Sequence, residues 1–525
     1  MSVSTTLARS TVRQLIEIGV QDFVLSPGSR NAPLSIALYQ AEKKGLINLH
    51  VRIDERGAAF FALGISKATG KYVPVVCTSG TAVANYMPAV LEAYHSDVKL
   101  LLLTADRPSR LRRTGSNQTT LQAGLFGEFV TNSIDASSPI DIRHLLEKSG
   151  PVHINLQFDE PLLESDNKDW LAGIQPLTVK QSSHPKGTLS ISTKKNIVIV
   201  GHDRAGIEVN EIKSFADAIG APILAEDPLV FDGAVAHAPI ILSDERVREA
   251  LSAELVVVIG RTTLSRSINS YVAGAKHLMV IDPRMENIDL SRTANEKHFQ
   301  IPRVSQGVAR DEKWFELWAQ YEAIASQAVE ELPQWSEGRA LALLASEIQN
   351  DTALFISSSR PIRDLESFAS PRSGVVTYAN RGLAGIDGNI ATAMGIATFH
   401  EETYAVIGDL AFLHDLSALA QPTRDPLTIV VIDNDGGGIF STLPQRGVEG
   451  FEKIFGTPHG QDLAKIVAGF GISHEVVVST KELQIAMRRV HPGLHIIIAK
   501  MPERERNAES LLEVNKTYSR LSIEI

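Results

Sequence analysis

The sequence predicts an α/β protein made of three consecutive doubly wound domains whose sheets are mainly parallel. Short apolar runs recur along the chain, and segments of helical composition lie between them. Several runs end in glycine and in acid or amide side chains, which is typical of buried parallel strands that carry a site at their C-terminal ends. The predicted domains are residues 1–165, 190–330 and 335–525, and the polar stretch 164–190 is a predicted linker.

The first two predicted domains alternate strands with helices. In the first domain the predicted strands are 23–25, 49–53, 73–77, 99–103 and 152–156, and the helices include 58–69 and 82–93. In the second domain they are 196–200, 222–225, 255–259 and 277–281. The glycines within residues 200–206 lack the Gly-x-Gly-x-x-Gly spacing, so the sequence gives little support for a dinucleotide site there.

The third domain is predicted to begin with a helix near residue 334. Its predicted strands are 353–356, 375–378, 405–407, 427–432, 474–478 and 494–499, and residues 414–420 are helical in composition. Strand 405–407, this helical segment and strand 427–432 form a strand, helix, strand unit. Polar side chains follow both of its strands.

Composition excludes several classes of protein. The chain of 525 residues has a formal net charge of −10, which argues against non-specific nucleic-acid binding. Cys77 is the single cysteine, so an intrachain disulfide and a cysteine-based zinc site are excluded. No apolar run reaches the ~20 residues of a membrane span. The N-terminal stretch is a candidate amphipathic helix without the features of a signal peptide, so a cytoplasmic protein is expected.

Asp409 and Asn434 are candidate metal ligands at the ends of neighbouring strands. They are 25 residues apart, so a single crossover brings the two strand ends side by side. A hard cation such as Mg²⁺ takes oxygen ligands and shares its shell with phosphates, and the carbonyl of Gly436 supplies a third oxygen. The segment around Asp409 or the segment around Asn434, taken alone, is more often a turn at the end of a strand. The two segments together favour a metal site.

Glu55 is the candidate catalytic carboxyl group. It lies where an apolar strand meets a helix, a position at which a carboxyl group can face an enclosed pocket that raises its pKa. The simpler interpretation is an acid at a helix N-terminus that is stabilised by the helix dipole. The adjacent Asp54 suits that second role better.

Motifs in both halves of the chain resemble those of thiamine diphosphate (ThDP) enzymes, and more closely the ThDP-dependent synthase family of menaquinone biosynthesis. The motifs are residues 26–34 (SPGSRNAPL), 54–57 (DERG), 78–85 (TSGTAVAN), 104–108 (TADRP), 117–118 (NQ), 380–388 (NRGLAGIDG), 408–410 (GDL) and 436–444 (GGGIFSTLP). The general ThDP pattern has a glycine where this chain has Leu410, a departure that suits this one family. The central domain matches only loosely.

The resemblance implies roles for individual residues. Glu55 would contact the aminopyrimidine, and Asp409, Asn434 and Gly436 would bind Mg²⁺, with Mn²⁺ as an alternative ion. The other implied cofactor contacts are Ile386, which would hold ThDP in a bent shape, Leu410, Gly437 and Ser79. The implied substrate contacts are Ser29, Arg30, Arg107, Asn117, Gln118, Arg266, Ser359, Arg363, Arg381, Phe440 and Leu443. The family has a basic pair where this chain has Arg266 and Ser267, so the second basic position is not kept.

The resemblance also implies the reaction and the assembly. The family decarboxylates 2-oxoglutarate and adds the remaining carbanion equivalent 1,4 to isochorismate. Both substrates are dianions, and arginine suits them because it stays charged and binds carboxylates bidentately. The resemblance further implies a homodimer or a dimer of dimers, with ThDP between the first domain of one subunit and the third domain of its partner.

Three alternatives stay open from the sequence. The first is a carboligase resembling acetolactate synthase that acts on pyruvate, although several motif arginines argue against a monocarboxylate donor. The second is a catalytically silent ThDP-fold binding module, against which the intact Glu55 and the intact metal ligands speak. The third is a nucleotide-binding protein that uses the Gly-rich strand ends for phosphate, but the chain lacks a P-loop motif.

Overall fold

The structure is a computed structural model that describes residues 2–164, 168–179, 185–284 and 288–524. The predicted linker, 164–190, therefore lies partly outside the described residues. The chain forms two compact units. The N-terminal unit comprises residues 1–183, 382–400 and 414–423, and the C-terminal unit comprises residues 184–381, 401–413 and 424–525.

Strands and helices alternate along most of the chain. The strands are β1 (Asp22–Leu25), β2 (Asn48–Val51), β3 (Val73–Cys77), β4 (Leu100–Asp106), β5 (Asn132–Ala136), β6 (Val152–Gln157), β7 (Thr188–Ser190), β8 (Asn196–Val200), β9 (Ile223–Ala225), β10 (Leu255–Ile259), β11 (Leu278–Ile281), β12 (Glu296–His298), β13 (Arg303–Gln306), β14 (Thr352–Ile356), β15 (Val375–Tyr378), β16 (Thr403–Gly408), β17 (Leu427–Asp433), β18 (Ser473–Val477) and β19 (Leu494–Lys500).

The α-helices are α1 (Val3–Glu17), α2 (Ala32–Lys43), α3 (Glu55–Thr69), α4 (Thr81–Ala84), α5 (Met87–Ser96), α6 (Val209–Ala218), α7 (Ala238–Ile241), α8 (Glu245–Ala250), α9 (Arg266–Ala273), α10 (Glu312–Glu330), α11 (Glu337–Glu347), α12 (Arg360–Phe368), α13 (Asn389–Ala397), α14 (Asp409–His414), α15 (Leu463–Gly469), α16 (Thr480–Met487) and α17 (Arg504–Leu521). Short 3₁₀ or π turns lie at Ser109–Leu111, Gly127–Phe129, Arg143–Leu146, Leu416–Ala420, Gly438–Thr442, Glu452–Gly456 and Ser522–Glu524.

The N-terminal unit is built on one six-stranded sheet in the order β2-β1-β3-β4-β6-β5, in which every pair of neighbours is parallel. Helix α3 packs closely against α13. A Cβ atom on Gly64 would lie 2.2 Å from the carbonyl oxygen of Thr392, and one on Gly395 would lie 2.2 Å from that of Phe61. Only glycine permits so close an approach of the two backbones.

The C-terminal unit contains two larger parallel sheets and a two-stranded sheet of β13 and β7. The five-stranded sheet has the order β12-β11-β10-β8-β9, and the six-stranded sheet has the order β15-β14-β16-β17-β19-β18. Each larger sheet has its own apolar clusters against the covering helices. In the six-stranded sheet Gly408 of β16 pairs with Ile432 of β17, so the two strands end together.

The structure confirms the predicted fold class of three successive α/β regions with mainly parallel sheets. Strands β3, β8, β10 and β15 have the predicted bounds, whereas β5, β7, β12 and β13 were not predicted. The domain boundaries themselves remain a prediction. Within the described residues, no helix combines the length and the apolar character that crossing a membrane requires.

Two helix predictions were wrong in detail. The segment 82–93 is not one helix, because the chain turns between α4 and α5, where Pro88 lies in the first turn of α5. The helical segment predicted at 414–420 begins earlier instead. Helix α14 starts at Asp409 directly after β16, and only a 3₁₀ turn follows at Leu416–Ala420.

Candidate active site

Asp409 joins the ends of β16 and β17 through its carboxylate. Its Oδ2 accepts the backbone N–H groups of Asn434 at 3.1 Å and of Gly436 at 2.8 Å. Its Oδ1 accepts the N–H of Leu410 at 2.6 Å. The predicted metal ligands Asp409, Asn434 and Gly436 therefore lie together, and the side chain of Asp409 is buried.

Asn434 is held in one orientation by Glu337. The Nδ2 of Asn434 donates to Glu337 Oε1 at 2.7 Å, and both side chains are buried. Burial raises the pKa of Glu337, and the nearby Arg360 guanidinium opposes that shift. Among the described residues Asn434 Oδ1 has no hydrogen-bond partner, although it is buried. A buried carbonyl oxygen without a partner is costly, so this atom suits a bound cation.

Three consecutive glycines follow Asn434 in a tightly packed turn. A Cβ atom on Gly436 would lie 2.1 Å from the carbonyl oxygen of Gly456, and Gly436 has a φ of +134°. A Cβ atom on Gly437 would lie 2.3 Å from the carbonyl oxygen of Phe455. Larger residues do not fit here, and without side chains the backbone of such a turn can approach a diphosphate closely.

His459 approaches the same carboxylates from a loop. Its Nε2 lies 3.3 Å from Asp409 Oδ2 and 3.6 Å from Asp433 Oδ1. The hydrogen bond to Asp409 raises the pKa of His459. Lys500 donates to Asp433 Oδ2 at 2.9 Å. Asp433 is therefore already paired with a lysine, whereas among the described residues Asp409 has only the histidine and backbone N–H groups as partners.

A cavity of about 560 Å³ in the C-terminal unit brings together several residues predicted to bind substrate. Arg266, Arg363 and Leu443 line it, and Arg360 and Arg446 contribute further positive charge. Phe440 lies outside this lining, with its ring centroid 5.5 Å from that of Phe455. The cavity thus combines cationic side chains with an apolar wall, as a pocket for a carboxylated organic molecule requires.

Arg363 differs from Arg360 and Arg446, which pair with Asp364 and Glu505. Its Nη1 donates to the carbonyl oxygen of Ser359 at 2.6 Å, and no carboxylate forms an ion pair with it in the described part of the chain. Burial and the neighbouring Arg360 lower the pKa of Arg363. Ser359 has a φ of +76°, an unusual value for a serine, at the start of α12. An arginine without a carboxylate partner is suited to bind a substrate anion.

Arg381 has a different environment from the one predicted. It is 3% exposed, and its guanidinium donates to both carboxylate oxygens of Glu226 at distances from 3.1 to 3.4 Å. It also donates to the carbonyl oxygen of Thr262 at 3.2 Å. Its charge is therefore already neutralised inside the protein.

In the N-terminal unit, four predicted residues meet at the C-terminal edge of the sheet. Arg107 donates to Ser79 Oγ at 2.8 Å and to the carbonyl oxygen of Gln118 at 2.6 Å, and Ser79 Oγ itself donates to that carbonyl at 2.8 Å. Burial and the nearby Arg30 lower the pKa of Arg107. Arg30 lies on the turn after β1, where it donates to the carbonyl oxygen of Phe158 at 3.1 Å.

The remaining predicted residues of this unit lie on its surface or at its rim. Glu55 is the first residue of α3 and is half-buried, while Asp54 caps the helix by accepting the N–H of Arg56 at 3.1 Å. The capping role thus belongs to Asp54, and the Glu55 carboxyl group is left for another contact. Ser29, Asn117 and Ile386 are exposed.

Comparisons with known proteins agree with this geometry. Three family models match the chain: the N-terminal TPP binding domain of thiamine pyrophosphate enzymes at residues 5–125, their middle domain at 163–356 and their C-terminal TPP binding domain at 364–498. The 2-succinyl-5-enolpyruvyl-6-hydroxy-3-cyclohexene-1-carboxylate synthase of Saccharopolyspora erythraea is 36% identical, with 95% of each chain covered. That of Thermobifida fusca is also 36% identical, over 95% of this chain and 96% of its own. The chain belongs to the 2-succinyl-5-enolpyruvyl-6-hydroxy-3-cyclohexene-1-carboxylate synthase family.

A less similar synthase and a solved structure also match most of the chain. The synthase of Bacillus cytotoxicus is 32% identical, over 93% of this chain and 92% of its own. The crystal structure of benzoylformate decarboxylase from Polynucleobacter necessarius matches with a TM-score of 0.66 over 95% of this chain and 98% of that one. It is 17% identical, so it shows the shared fold alone. The predicted resemblance to a ThDP-dependent synthase family of menaquinone biosynthesis is confirmed.

The strand ends have a donor set that fits a hard divalent cation beside a diphosphate. A carboxylate, an unpartnered amide oxygen and backbone carbonyls are hard oxygen donors. Glu337 and His459 belong to this arrangement but were not predicted from the sequence. Glu337 is 97 residues before Asn434, and no local pattern indicates that contact.

Proposed function

We propose that the chain is a ThDP- and Mg²⁺-dependent carboligase that decarboxylates 2-oxoglutarate and adds the resulting succinyl group 1,4 to isochorismate. The product would be 2-succinyl-5-enolpyruvyl-6-hydroxy-3-cyclohexene-1-carboxylate, with release of CO₂. The observation that carries the proposal is the Asn434 Oδ1, which has no partner among the described residues, in a residue whose backbone N–H donates to the Asp409 carboxylate at the ends of two neighbouring strands. The relatives that carry this name support the choice of substrates.

The residues that would hold the cofactor fall into two groups, the metal ligands and the contacts to ThDP itself. Asp409, Asn434 Oδ1 and the carbonyl oxygen of Gly436 would bind Mg²⁺ against the diphosphate, with Mn²⁺ as an alternative ion. Leu410, Gly437 and Ser79 would contact ThDP, and Ile386 would support its bent shape. When bound, ThDP supplies the electron sink for decarboxylation and for formation of the carbon–carbon bond.

Glu55 is the proposed acid–base group. Its carboxyl group would hold a proton at N1′ of the aminopyrimidine and exchange it during the catalytic cycle. The position of Glu55 supports this role, because Asp54 already caps α3 and leaves the second carboxyl group available.

The substrates would be bound through their carboxylates. Arg363 is a strong candidate because it lines the cavity, is half-buried and has no described carboxylate as an ion-pair partner. Arg266 lines the same cavity and is exposed at the start of α9. Arg30 and Arg107 would supply positive charge in the N-terminal unit, together with the polar groups of Ser29, Asn117 and Gln118. Phe440 and Leu443 would provide apolar contact, and Ser359 would position Arg363.

Arg381 remains in the proposal as a positioning group rather than a direct contact. Its guanidinium is paired with Glu226, and the pair lies close to Arg363. A fixed, neutralised ion pair there would keep Arg363 free to bind an external anion.

The test compares donors in the full-length protein with ThDP, Mg²⁺ and isochorismate. Mass spectrometry should detect the product with 2-oxoglutarate and little or none with pyruvate. Turnover with pyruvate but not with 2-oxoglutarate would favour the acetolactate-synthase-like alternative. Failure with both donors would favour the silent binding module.

Two further features belong to the proposal. We infer a homodimer or a dimer of dimers, because family resemblance implies that two subunits share each cofactor. Sedimentation of the ThDP-loaded protein measures this state. We also infer a cytoplasmic protein, and fractionation of cells that contain the tagged protein would test this location.

A further inference from the structure

The side-chain amide of Gln421 contacts the backbone on both sides of Arg52, just before Glu55. Its Oε1 accepts the N–H of Ile53 at 2.7 Å, and its Nε2 donates to the carbonyl oxygen of Val51 at 3.1 Å. All of these residues belong to the N-terminal unit. A single amide therefore binds the stretch of chain that joins β2 to α3.

This contact lies on the outer side of β2, the strand at the end of the sheet order. The N–H of Arg52 donates to the carbonyl oxygen of Leu25 in β1 at 2.9 Å. Because backbone groups alternate in direction along a strand, those of Val51 and Ile53 point away from β1. Gln421 thus pairs with two residues in the way that one residue of a neighbouring parallel strand does.

Apolar packing does little to hold this stretch. Val51 is 48% exposed and Ile53 is 62% exposed. Arg52 has its guanidinium carbon 4.1 Å from the ring centroid of Phe61, and it also donates to the carbonyl oxygen of Gln421. Hydrogen bonds to β1 on one side and to Gln421 on the other therefore set the direction in which the chain enters α3.

Gln421 itself extends from an anchored turn. Its N–H donates to the carbonyl oxygen of Ala418 at 3.3 Å, and both Ala418 and Leu419 are buried. Earlier in the same segment the buried Asp415 accepts the N–H of Ala391 at 2.9 Å. A side chain supported in this way can fix its partner precisely.

The residue after Glu55 contacts the same segment, 414–421. Arg56 Nη2 donates to the carbonyl oxygen of His414 at 2.8 Å and lies 3.7 Å from Asp415 Oδ1. The segment therefore binds the chain both before and after Glu55. These contacts do not use the Glu55 carboxyl group.

We propose that Gln421 is a positioning residue for the carboxyl group of Glu55. The inference rests on the proposed acid–base role of Glu55. Proton exchange with a ring nitrogen requires hydrogen-bond geometry, and a displacement of ~1 Å at a catalytic group can slow a reaction about 100-fold. In this role Gln421 acts through the backbone that carries Glu55 and not on the cofactor itself.

Two measurements on full-length Gln421→Leu test the inference, since leucine removes both hydrogen bonds at a similar side-chain size. In the protein without ThDP, hydrogen–deuterium exchange with mass spectrometry should be at least about tenfold faster at the Ile53 amide, because that amide loses its acceptor. With ThDP and Mg²⁺ bound, proton exchange at C2 of the cofactor should be about tenfold slower. If Gln421→Leu does not fold, Gln421→Ser takes its place.

Gln40→Leu is the matched control. Gln40 is a half-buried glutamine of the same unit, and its Oε1 accepts the Nε1–H of Trp170 at 2.7 Å. Its replacement also removes a hydrogen bond, so it should lower stability but leave both exchange rates as in the unmodified protein.

Glu55→Gln distinguishes failure of this inference from failure of the proposed function. Slow C2 exchange in Glu55→Gln together with a normal rate in Gln421→Leu would overturn the inference alone. An unchanged rate at the Ile53 amide, or equal effects in Gln40→Leu, would also overturn it. A normal C2 rate in Glu55→Gln would instead contradict the acid–base role of Glu55 on which the inference rests.

Discussion

Asn434 donates its side-chain N–H to Glu337 Oε1 at 2.7 Å, and this contact fixes which end of the amide is left without a partner among the described residues. An asparagine amide can rotate by half a turn, which would exchange its oxygen for a nitrogen. With Nδ2 engaged by Glu337, the unpartnered Oδ1 is the end available to a cation. Glu337 is therefore a positioning residue for the proposed metal site, although it is not a ligand itself.

Replacement of Glu337 should weaken metal binding without removal of a ligand. In Glu337→Leu the amide of Asn434 loses its acceptor, so we expect the Mg²⁺ concentration for half-maximal activity to rise roughly 10- to 100-fold. Glu337→Gln is the matched control, because its amide oxygen can still accept the N–H of Asn434. Titration of Mg²⁺ at saturating ThDP measures both. An equal Mg²⁺ concentration for half-maximal activity in the two variants would show that the contact with Glu337 does not orient Asn434.

Glu55→Gln should keep ThDP binding but slow proton removal from C2 of the bound cofactor. A neutral amide can contact N1′ but cannot exchange the proton there, so we expect a decrease of about 10² to 10⁴-fold. Hydrogen–deuterium exchange at C2, followed by NMR after acid quench, measures this step without substrates. Exchange at the unmodified rate would remove Glu55 from this role. Asp54→Ala serves as a control for the helix cap, and it should lower stability rather than exchange.

Arg363→Ala should raise the KM for 2-oxoglutarate or isochorismate at least about tenfold, because a charge-assisted contact to a carboxylate is lost. Arg488→Ala is the control, since Arg488 is exposed and pairs with Glu347 at 2.7 Å on another part of the unit. Steady-state kinetics of both variants, with each substrate varied in turn, measures the two KM values. Unchanged KM values for both substrates in Arg363→Ala would return this arginine to a structural role.

Acid should destabilise the protein in part through His153. This histidine is buried, and its Nε2 lies 2.7 Å from Thr104 Oγ1. Burial lowers the pKa of His153 to about 4, whereas an unfolded chain has a histidine pKa near 6.5. Between these values the unfolded chain binds a proton that the folded protein does not. Stability is therefore lost as the pH falls from about 6.5 to about 4, by about 3 kcal/mol for this group. Denaturant unfolding at several pH values should show a smaller acid-dependent loss of unfolding free energy for His153→Gln than for the unmodified protein. Equal losses in the two proteins would show that His153 is not the cause.

The sequence predicted the strand ends well because their signals are local. Strand β17 is a continuous apolar run, and Asp409 and Asn434 are separated by one crossover, so their proximity follows from chain connectivity. Strand β5 was missed because Asn132–Ala136 contains three polar residues, and its burial alternates as expected for an edge strand. The helix prediction at 82–93 was wrong because apolar composition alone does not show the break between α4 and α5.

Long-range contacts could not be predicted in the same way. Glu337 and His459 reach the strand ends from a distant helix and a loop, and neither belongs to a motif. Arg381 lies in a motif beside predicted substrate contacts, yet the structure pairs it with Glu226, which is 155 residues away. A sequence motif identifies which residues are present, but their partners depend on the folded chain.

Mg²⁺-dependent binding of ThDP to Asp409→Asn tests the metal-dependent cofactor binding on which the proposed function depends. Calorimetry with ThDP at fixed Mg²⁺ compares three proteins: the unmodified chain, Asp409→Asn and the control Asp435→Asn, whose carboxylate is partly exposed and accepts the N–H of Gly460 at 2.8 Å. Loss of one anionic ligand should weaken binding of ThDP with Mg²⁺ in Asp409→Asn by at least about tenfold, while Asp435→Asn should bind like the unmodified chain. Unchanged binding in Asp409→Asn, or a loss confined to Asp435→Asn, would contradict the assignment of Asp409 as a ligand of the metal that holds the diphosphate.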